Sequence, residues 1–254
     1  MPTIEQNQAV WNEASNKEWQ DRGDAWSTAW GGVHSQWFGT ILTRIHAFIP
    51  TETILEIAAG FGRWTQFLRH YTSRLIVVDL AEQCIEACRR RFHDCTGISC
   101  HVNDGKSLEM VPEDSISFVF SFDSLVHADA DVIEAYLNQL ANKLTRNGVG
   151  FIHHSNLGSY TTGTPKALPP GFKNPHWRSQ NVSARLFEEY CERAGLQCIA
   201  QEVINWGGDI LNDCFSVFTT RDSKWSRPNR IFENRRFMDE ANRLSQLANL
   251  YSLE

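Results

Sequence analysis

Short apolar runs alternate with segments of helical periodicity through most of the chain. Helical patterns cover 81–92, 130–145 and 183–194, and Gly195 follows the last of them as a natural C-cap. The apolar runs that predict strands begin at Ile54, Leu75, Ile98, Ser115, Val149, Gln197 and Cys214. This alternation predicts an α/β fold with a doubly wound, mostly parallel sheet.

Both ends of the chain depart from this alternation. Trp19, Trp26, Trp30 and Trp37 are spaced 7, 4 and 7 residues apart and would share one helical face. Two interpretations stay open for this segment: short helices that bury aromatic surface against the sheet, or a lid over a bound ligand. Over 237–251, apolar residues recur at helical spacing and predict an amphipathic helix. Its apolar stripe needs a cover, either from its own domain or from another subunit of a homo-oligomer.

Composition and charge narrow the class of protein. The chain has 254 residues, of which 42% are hydrophobic, enough for a full core. The net charge of −6 argues against a nucleic acid or an anionic membrane as the main partner. Its 7 cysteines form no C-x-x-C pair and are typical of reduced thiols in a cytoplasmic protein. No apolar run reaches the roughly 20 residues of a membrane span, and the first residues show no signal-peptide pattern.

The most informative motif is a glycine turn after the first predicted strand. The run Ile54-Leu-Glu-Ile-Ala-Ala-Gly-Phe-Gly leads into this turn at Gly60 and Gly62, where the missing Cβ atoms let backbone N–H groups approach a ligand. Asp79 ends the next predicted strand, where a carboxylate can accept hydrogen bonds from both hydroxyls of a ribose. A dinucleotide motif would need a third glycine where Thr65 stands. We therefore expect an adenosine derivative other than a dinucleotide.

The spacing E-x-A-x-G-x-G from Glu56 resembles motif I of class I S-adenosylmethionine-dependent methyltransferases, with Ala58 where that family usually has glycine. The resemblance implies a seven-stranded sheet with an antiparallel last strand and S-adenosylmethionine as the cofactor. It divides the chain into an N-terminal helical cap or lid (1–40), a methyltransferase domain (41–221) with an acceptor loop (155–182), and a C-terminal helical extension (222–254). The expected cofactor-binding residues are Glu56, Ala58, Gly60, Gly62, Arg63, Asp79, Leu80, Asp104, Gly105 and Phe122, with Trp26 and Trp30 as lid residues.

The resemblance places Asp104 at the adenine amino group, although Asn-Asp-Gly at 103–105 is also typical of a tight turn. Both interpretations can hold together, because a turn residue can still present its side chain to a ligand.

Candidate catalytic residues follow the fourth and fifth predicted strands. Methyl transfer from a sulfonium requires alignment of the acceptor and, for a hydroxyl, removal of a proton. A histidine can be that base near neutral pH, and the resemblance favours His127, with His154 and Asp123 as further candidates. A resemblance to metal-dependent sugar and catechol O-methyltransferases implies that Asp123, His154 and Asp213 could also converge on a divalent cation, with Mg²⁺ or Ca²⁺ favoured by the oxygen ligands. The alternative is carboxylates that hydrogen-bond substrate hydroxyls without a metal.

The acceptor loop carries Tyr160, Trp177 and Arg178. Aromatic rings suit a sugar and arginine suits phosphate, and the overall pattern resembles bacterial sugar O-methyltransferases. We therefore expect an O-methyltransferase for a small hydroxylated metabolite, above all a saccharide or nucleotide-linked sugar. Two alternatives stay open: a small-molecule N- or C-methyltransferase, and a non-catalytic assembly subunit with the same fold.

Overall fold

One mixed sheet of 8 strands runs through the molecule. The structure, a computed structural model, describes residues 3–12, 22–161, 168–174 and 177–252. The strands are β1 (Thr51–Ile57), β2 (Thr72–Asp79), β3 (Ile98–Val102), β4 (Ile116–Ser121), β5 (Leu144–Ser155), β6 (Leu196–Ile204), β7 (Asp213–Thr220) and β8 (Arg230–Asn234). Their order is β3-β2-β1-β4-β5-β7-β6-β8. Strands β1 to β5 are mutually parallel, and β7 is antiparallel between β5 and β6. The predicted doubly wound sheet with an antiparallel seventh strand is confirmed.

The predicted strand count is wrong by one, because β8 adds an edge strand parallel to β6. It lies in the segment 222–254, where the sequence predicts only a helix. Its first four residues are exposed, so neither face carries the alternating burial from which a strand can be recognised.

Helices cover both faces of the sheet. They are α1 (Ile4–Asn12), α2 (33–45, with a π-helical stretch Gln36–Ile41), α3 (Thr65–Leu68), α4 (Glu82–Arg91), α5 (Ala130–Lys143), α6 (Gly158–Thr161), α7 (Ala184–Ala194) and α8 (Phe237–Tyr251), with 3-10 turns at Asp24–Trp30 and Leu125–His127. Helix α7 has the predicted ending, since Gly195 adopts a left-handed conformation and caps it. None of the described helices is long and apolar enough to cross a membrane.

The aromatic N-terminal segment packs into the core. Trp30 and Trp37 are 1% and 0% exposed, and the Trp37 ring stacks on Phe67 with 4.9 Å between centroids. The burial interpretation therefore holds for these two residues, while Trp19 lies outside the described part of the chain. Trp30 also contacts Trp206, with 4.9 Å between ring centroids, so the segment reaches the residues that follow the carboxyl end of β6.

Helix α8 packs beside this segment. Phe237 and Ala241 are fully buried, so the chain itself covers the first part of the predicted apolar stripe. Leu247, Leu250 and Tyr251 remain 54%, 71% and 78% exposed. The homo-oligomer predicted from this stripe stays a prediction.

Candidate active site

A cavity of about 630 Å³ opens beyond the carboxyl ends of β1, β2 and β4, a volume typical of small-molecule sites. Most of the predicted site residues line it, namely Trp26, Trp30, Ala58, Gly60, Arg63, Asp79, Leu80, Gly105, Phe122, Asp123 and His127. The predicted residues outside its wall are Glu56, Gly62, Asp104, His154 and Asp213. The sheet thus brings the ends of several strands to one space, as the parallel order requires.

The turn after β1 forms the floor of the cavity. Ala58 and Gly60 have φ angles of 58° and 57°, in the left-handed region that favours glycine. The Gly60 N–H donates to Asp79 Oδ2 at 2.8 Å, and the Ala81 N–H donates to Asp79 Oδ1 at 2.9 Å. Burial raises the pKa of Asp79, while these backbone donors oppose that rise. Asp79 therefore ties the glycine turn to the end of β2 and presents a carboxylate beside it.

Replacing Ala58 with glycine should stabilise the protein by about 0.5 kcal/mol. Removing the strain of an alanine in the left-handed conformation stabilises the folded state by roughly 1–2 kcal/mol. The greater entropy of glycine in the unfolded state offsets about 0.5–1 kcal/mol of this gain. Urea denaturation measures the difference. The neighbouring Ala59, which is not among the residues with positive φ, provides the matched control: Ala59→Gly should destabilise by about 0.4–1 kcal/mol through the added entropy of the unfolded chain. A similar loss in both variants would contradict this interpretation.

Glu56 and Gly62 act behind the turn, and neither lines the cavity. Thr65 Oγ1 donates to Glu56 Oε2 at 2.6 Å, and burial raises the pKa of Glu56 to about 8. A Cβ on Gly62 would approach the Phe92 ring to 2.6 Å, so close packing requires glycine there. Glu56 and Gly62 therefore stabilise the turn from behind. They were predicted to contact the cofactor, but neither lines the cavity.

Asp104 shapes a turn at the other end of the cavity. It is exposed, and its Oδ1 accepts hydrogen bonds from the N–H groups of Lys106 and Ser107 at 2.8 and 2.6 Å. The Ser107 and Lys106 donors lower the pKa of Asp104. Of the two interpretations of this residue, the geometry favours the turn, and Gly105 and Lys106 line the cavity instead.

Helix α1 covers the cavity, a feature that sequence reasoning missed. Ile4 lies 3.1 Å from where a Cβ on Gly105 would be, and Asn7 Nδ2 donates to the His127 carbonyl at 3.2 Å. The signal that could have found this helix is a capping box. Thr3 Oγ1 accepts from the Gln6 N–H at 3.2 Å, and the Thr3 N–H donates to Gln6 Oε1 at 2.9 Å.

Arg63 and Asp123 form an ion pair on the cavity wall. Arg63 Nη2 lies 2.8 Å from Asp123 Oδ2, with the two side chains 10% and 14% exposed. The guanidinium carbon lies 4.6 Å from the centre of the Trp64 ring. Arg63 Nη1 is buried and has no hydrogen-bond partner among the described residues. Because a buried donor without a partner is costly, this atom is a candidate contact for a bound ligand.

His127 lines the cavity as a neutral ring. It is 9% exposed, and burial lowers its pKa to about 4, against the opposing effect of the Asp123 carboxylate. Its Nδ1 atom has no hydrogen-bond partner in the described part of the chain. A neutral imidazole with an open nitrogen can accept a proton from a hydroxyl.

His154 lies on the other side of β5, contrary to its prediction as a catalytic residue. Its ring stacks on Phe187 of α7 with 4.5 Å between centroids. Both ring nitrogens are bonded, to the Ser155 carbonyl and to Ser216 Oγ, each at 2.8 Å. Successive strand residues point to opposite faces, so the neighbouring His153 is the one on the cavity side.

Asp213 belongs to a buried ion pair, which removes it from the predicted metal site. Its carboxylate binds Arg178 Nε at 2.6 Å and Nη2 at 2.8 Å, and His153 Nε2 lies 3.1 Å from Oδ2. Burial alone would raise the pKa of Asp213, but Arg178 and His153 lower it to about 2. The predicted set Asp123, His154 and Asp213 does not come together. Among the described residues no group of 3 or more metal-ligating side chains is arranged to hold a cation.

The acceptor loop also differs from expectation. The charge of Arg178 is compensated by Asp213 in a bidentate pair, so Arg178 does not offer a phosphate site. Tyr160 accepts the Leu211 N–H at 3.1 Å and braces the turn before β7. Trp177 is 58% exposed. The loop thus contributes Arg178 to the wall of the cavity, with its charge paired to Asp213 of β7.

The strand order and the cavity beside a glycine turn are those of a methyltransferase-like α/β fold, and the comparisons with known proteins agree with this fold. Residues 54–148 match the family described as "Methyltransferase domain". This match covers the region that contains the predicted motif at Glu56–Gly62 and the end of β2 at Asp79. No curated protein matches the sequence.

Solved structures share the fold at low sequence identity. A methyltransferase from Clostridium acetobutylicum is 12% identical with a TM-score of 0.55, over 80% of this chain and 95% of that one. DhpI in complex with SAH is 17% identical with a TM-score of 0.54, over 86% and 97%. A chain from the complex of the Haloferax volcanii Trm112 methyltransferase activator with a methyltransferase is 18% identical with a TM-score of 0.51, over 79% and 96%.

Proposed function

We propose that this protein transfers the methyl group of S-adenosylmethionine to a hydroxyl of a small, uncharged metabolite, with a saccharide as the leading acceptor. The observation that carries the proposal is one cavity lined by a cofactor-type carboxylate, Asp79, and a neutral histidine, His127. The two groups supply the two requirements of the reaction, since one holds the cofactor and the other accepts a proton.

The residues around the turn fit S-adenosylmethionine. Asp79 would accept hydrogen bonds from the ribose hydroxyls, and Arg63 Nη1, buried and without a described partner, would donate to the carboxylate of the methionine moiety. Aromatic rings such as Trp30 face the same space and attract a sulfonium through cation–π interaction. When bound, the cofactor supplies an activated methyl group.

His127 would accept the proton that the acceptor hydroxyl loses. Its low pKa, about 4, keeps the ring neutral across the physiological range, so the proton-accepting form is always present. Burial under α1 limits water at this ring, which favours transfer to a bound acceptor over side reactions.

The proposed acceptor carries no phosphate. Arg178 is paired with Asp213 in a buried ion pair, and Arg63, which is paired with Asp123, is assigned to the carboxylate of the cofactor. Trp30 and Trp206 line the same wall and are suited to the C–H face of a sugar ring. Neither Arg63 nor Arg178 is therefore left to bind the phosphates of the predicted nucleotide sugar. The aromatic rings that favour a sugar remain in the cavity wall.

The proposal is tested by incubating the protein with isotopically labelled S-adenosylmethionine and a panel of neutral sugars, glycosides and other hydroxylated metabolites. We expect label in an ether-linked methyl group of one acceptor class. A product carrying an N- or C-methyl group would overturn the O-methyl assignment. Cofactor binding without turnover on the panel would favour the assembly subunit.

Asp79→Asn should weaken binding of S-adenosylhomocysteine by about 10–100-fold. A hydrogen bond to a charged group is worth about 1.5–3 kcal/mol, and each 1.4 kcal/mol is tenfold in affinity. Isothermal titration calorimetry measures the change. Glu52→Ala removes an exposed carboxylate from the opposite end of β1 and should leave the affinity unchanged. Equal affinities for wild type and Asp79→Asn would refute the role of Asp79.

A further inference from the structure

A continuous, largely buried network of polar groups joins the two arginines of the cavity wall. From the acceptor loop it runs through Arg178, Asp213 and His153 to the backbone N–H of Asp123, which donates to His153 Nδ1 at 3.1 Å. From the Asp123 carboxylate it continues to Arg63 at 2.8 Å. Arg178 and Arg63 line the cavity at the two ends, and His153 does not.

In this polar network, His153 is the one residue whose ring must accept one hydrogen bond and donate another. Nδ1 receives the Asp123 N–H, so it carries no proton, and Nε2 must carry the proton that faces Asp213. This assignment follows from the hydrogen-bond partners. The ring is 0% exposed and lies between Trp206 and Phe215, with centroid separations of 5.0 and 4.7 Å. Packing thus leaves the ring one orientation.

The bond to Nδ1 holds Asp123 in an unfavourable backbone conformation. Asp123 has a φ of 60°, in the left-handed region that is unfavourable for a residue other than glycine. In that conformation the Asp123 carboxylate binds Arg63 Nη2. Arg63 Nη1 then has no partner among the described residues and is available to the proposed cofactor carboxylate. Without an acceptor at Nδ1, the half-buried Asp123 N–H would lose its hydrogen-bond partner, and the strained conformation would lose its support.

We propose that His153 is a positioning residue that sets the cofactor side of the cavity through Asp123 and Arg63, and that it connects this side to the acceptor loop through Asp213 and Arg178. The proposal rests on the proposed function, because it assigns Arg63 to the cofactor. It adds a residue outside the cavity that controls affinity inside it.

Two conservative variants separate the bond from His153 to Asp123 from the bond from His153 to Asp213. In His153→Asn, the amide oxygen takes the place of Nδ1 and can still accept from Asp123. In His153→Gln, the amide nitrogen takes the place of Nε2 and can still donate to Asp213. Both variants put a neutral amide into the same buried position, so a purely structural role would affect them alike.

Calorimetry with S-adenosylhomocysteine and urea denaturation should be run on wild type and both variants. We expect His153→Asn to bind within about threefold of wild type and His153→Gln to bind about tenfold more weakly, a difference of about 1.4 kcal/mol. Equal affinities of the two variants would overturn the proposal while leaving the proposed function intact. A wild type that does not bind would refute both.

A measurement on the wild type covers the case in which a variant fails to fold. In ¹⁵N spectra of the histidine rings, His153 should show a protonated Nε2 and an unprotonated Nδ1, and its signals should shift when S-adenosylhomocysteine is added. The opposite tautomer, or signals that do not respond to the ligand, would overturn the proposal.

Discussion

Asp213→Ala should destabilise the protein by about 3–5 kcal/mol, the cost of breaking a buried ion pair from one side. The variant leaves the Arg178 guanidinium, 1% exposed, without its carboxylate. It also leaves His153 Nε2 without its acceptor at 3.1 Å. Urea denaturation measures the loss as a fall in the free energy of unfolding. A loss of this size would be a large share of the stability of an ordinary domain.

The matched control for this prediction is Asp209→Ala. Asp209 is exposed in the turn that precedes β7, so its removal should change stability by no more than about 0.5 kcal/mol. Similar effects of the two substitutions would contradict the importance of the buried pair.

The same pair gives stability a defined acid dependence. The pKa of Asp213 is lowered to about 2 in the folded protein, so its contribution is present above the ordinary carboxyl pKa and is lost as the pH falls from about 4 to 2. Asp213→Ala should lack this part of the acid response.

His127→Asn should slow methyl transfer by roughly 10²- to 10⁴-fold, the usual contribution of a positioned general base. Because the cofactor is assigned to Asp79 and Arg63, the affinity for S-adenosylhomocysteine should stay within about threefold. The rate is measured with the acceptor that the labelled-methyl panel identifies. His93→Ala, which removes an exposed histidine, is the control and should retain the wild-type rate. An unchanged rate in His127→Asn would remove this residue from the mechanism.

The pH profile offers a second check on His127. With a pKa of about 4, the ring is neutral at every pH above roughly 5, so protonation of His127 should not reduce the rate between about pH 6 and 8. A fall in the rate centred near pH 6.5 would indicate an ordinary exposed histidine and contradict the buried geometry.

The glycine turn beside Asp79 was predictable because its determinants are local. Gly60 and Asp79 lie at the ends of two consecutive strands, and the strand-turn-helix pattern specifies their separation. Parallel pairing of β1 with β2 then brings the two together, without help from distant parts of the chain. For the same reason the first seven strands followed from the alternation of apolar runs, while the antiparallel last strand was implied by the family resemblance.

The acceptor side could not be predicted in the same way, since it depends on pairing between distant residues. Taken alone, Asp213 suggested a metal ion and Arg178 suggested a phosphate. In the fold the two side chains form an ion pair with each other. For His153 and His154, the face of β5 was unknown, and the strand register assigns His154 to the side of α7. The sequence pattern shows which charges exist, while only the packing shows which of them are already paired.

The most direct test of the central claim, that this cavity binds S-adenosylmethionine and delivers its methyl group, is a crystal structure with S-adenosylhomocysteine. We expect the ribose hydroxyls at the Asp79 carboxylate, the methionine carboxylate at Arg63 Nη1, and the sulfur facing His127 and Trp30. Density for the ligand outside the cavity, or a ribose placed away from Asp79, would contradict the account.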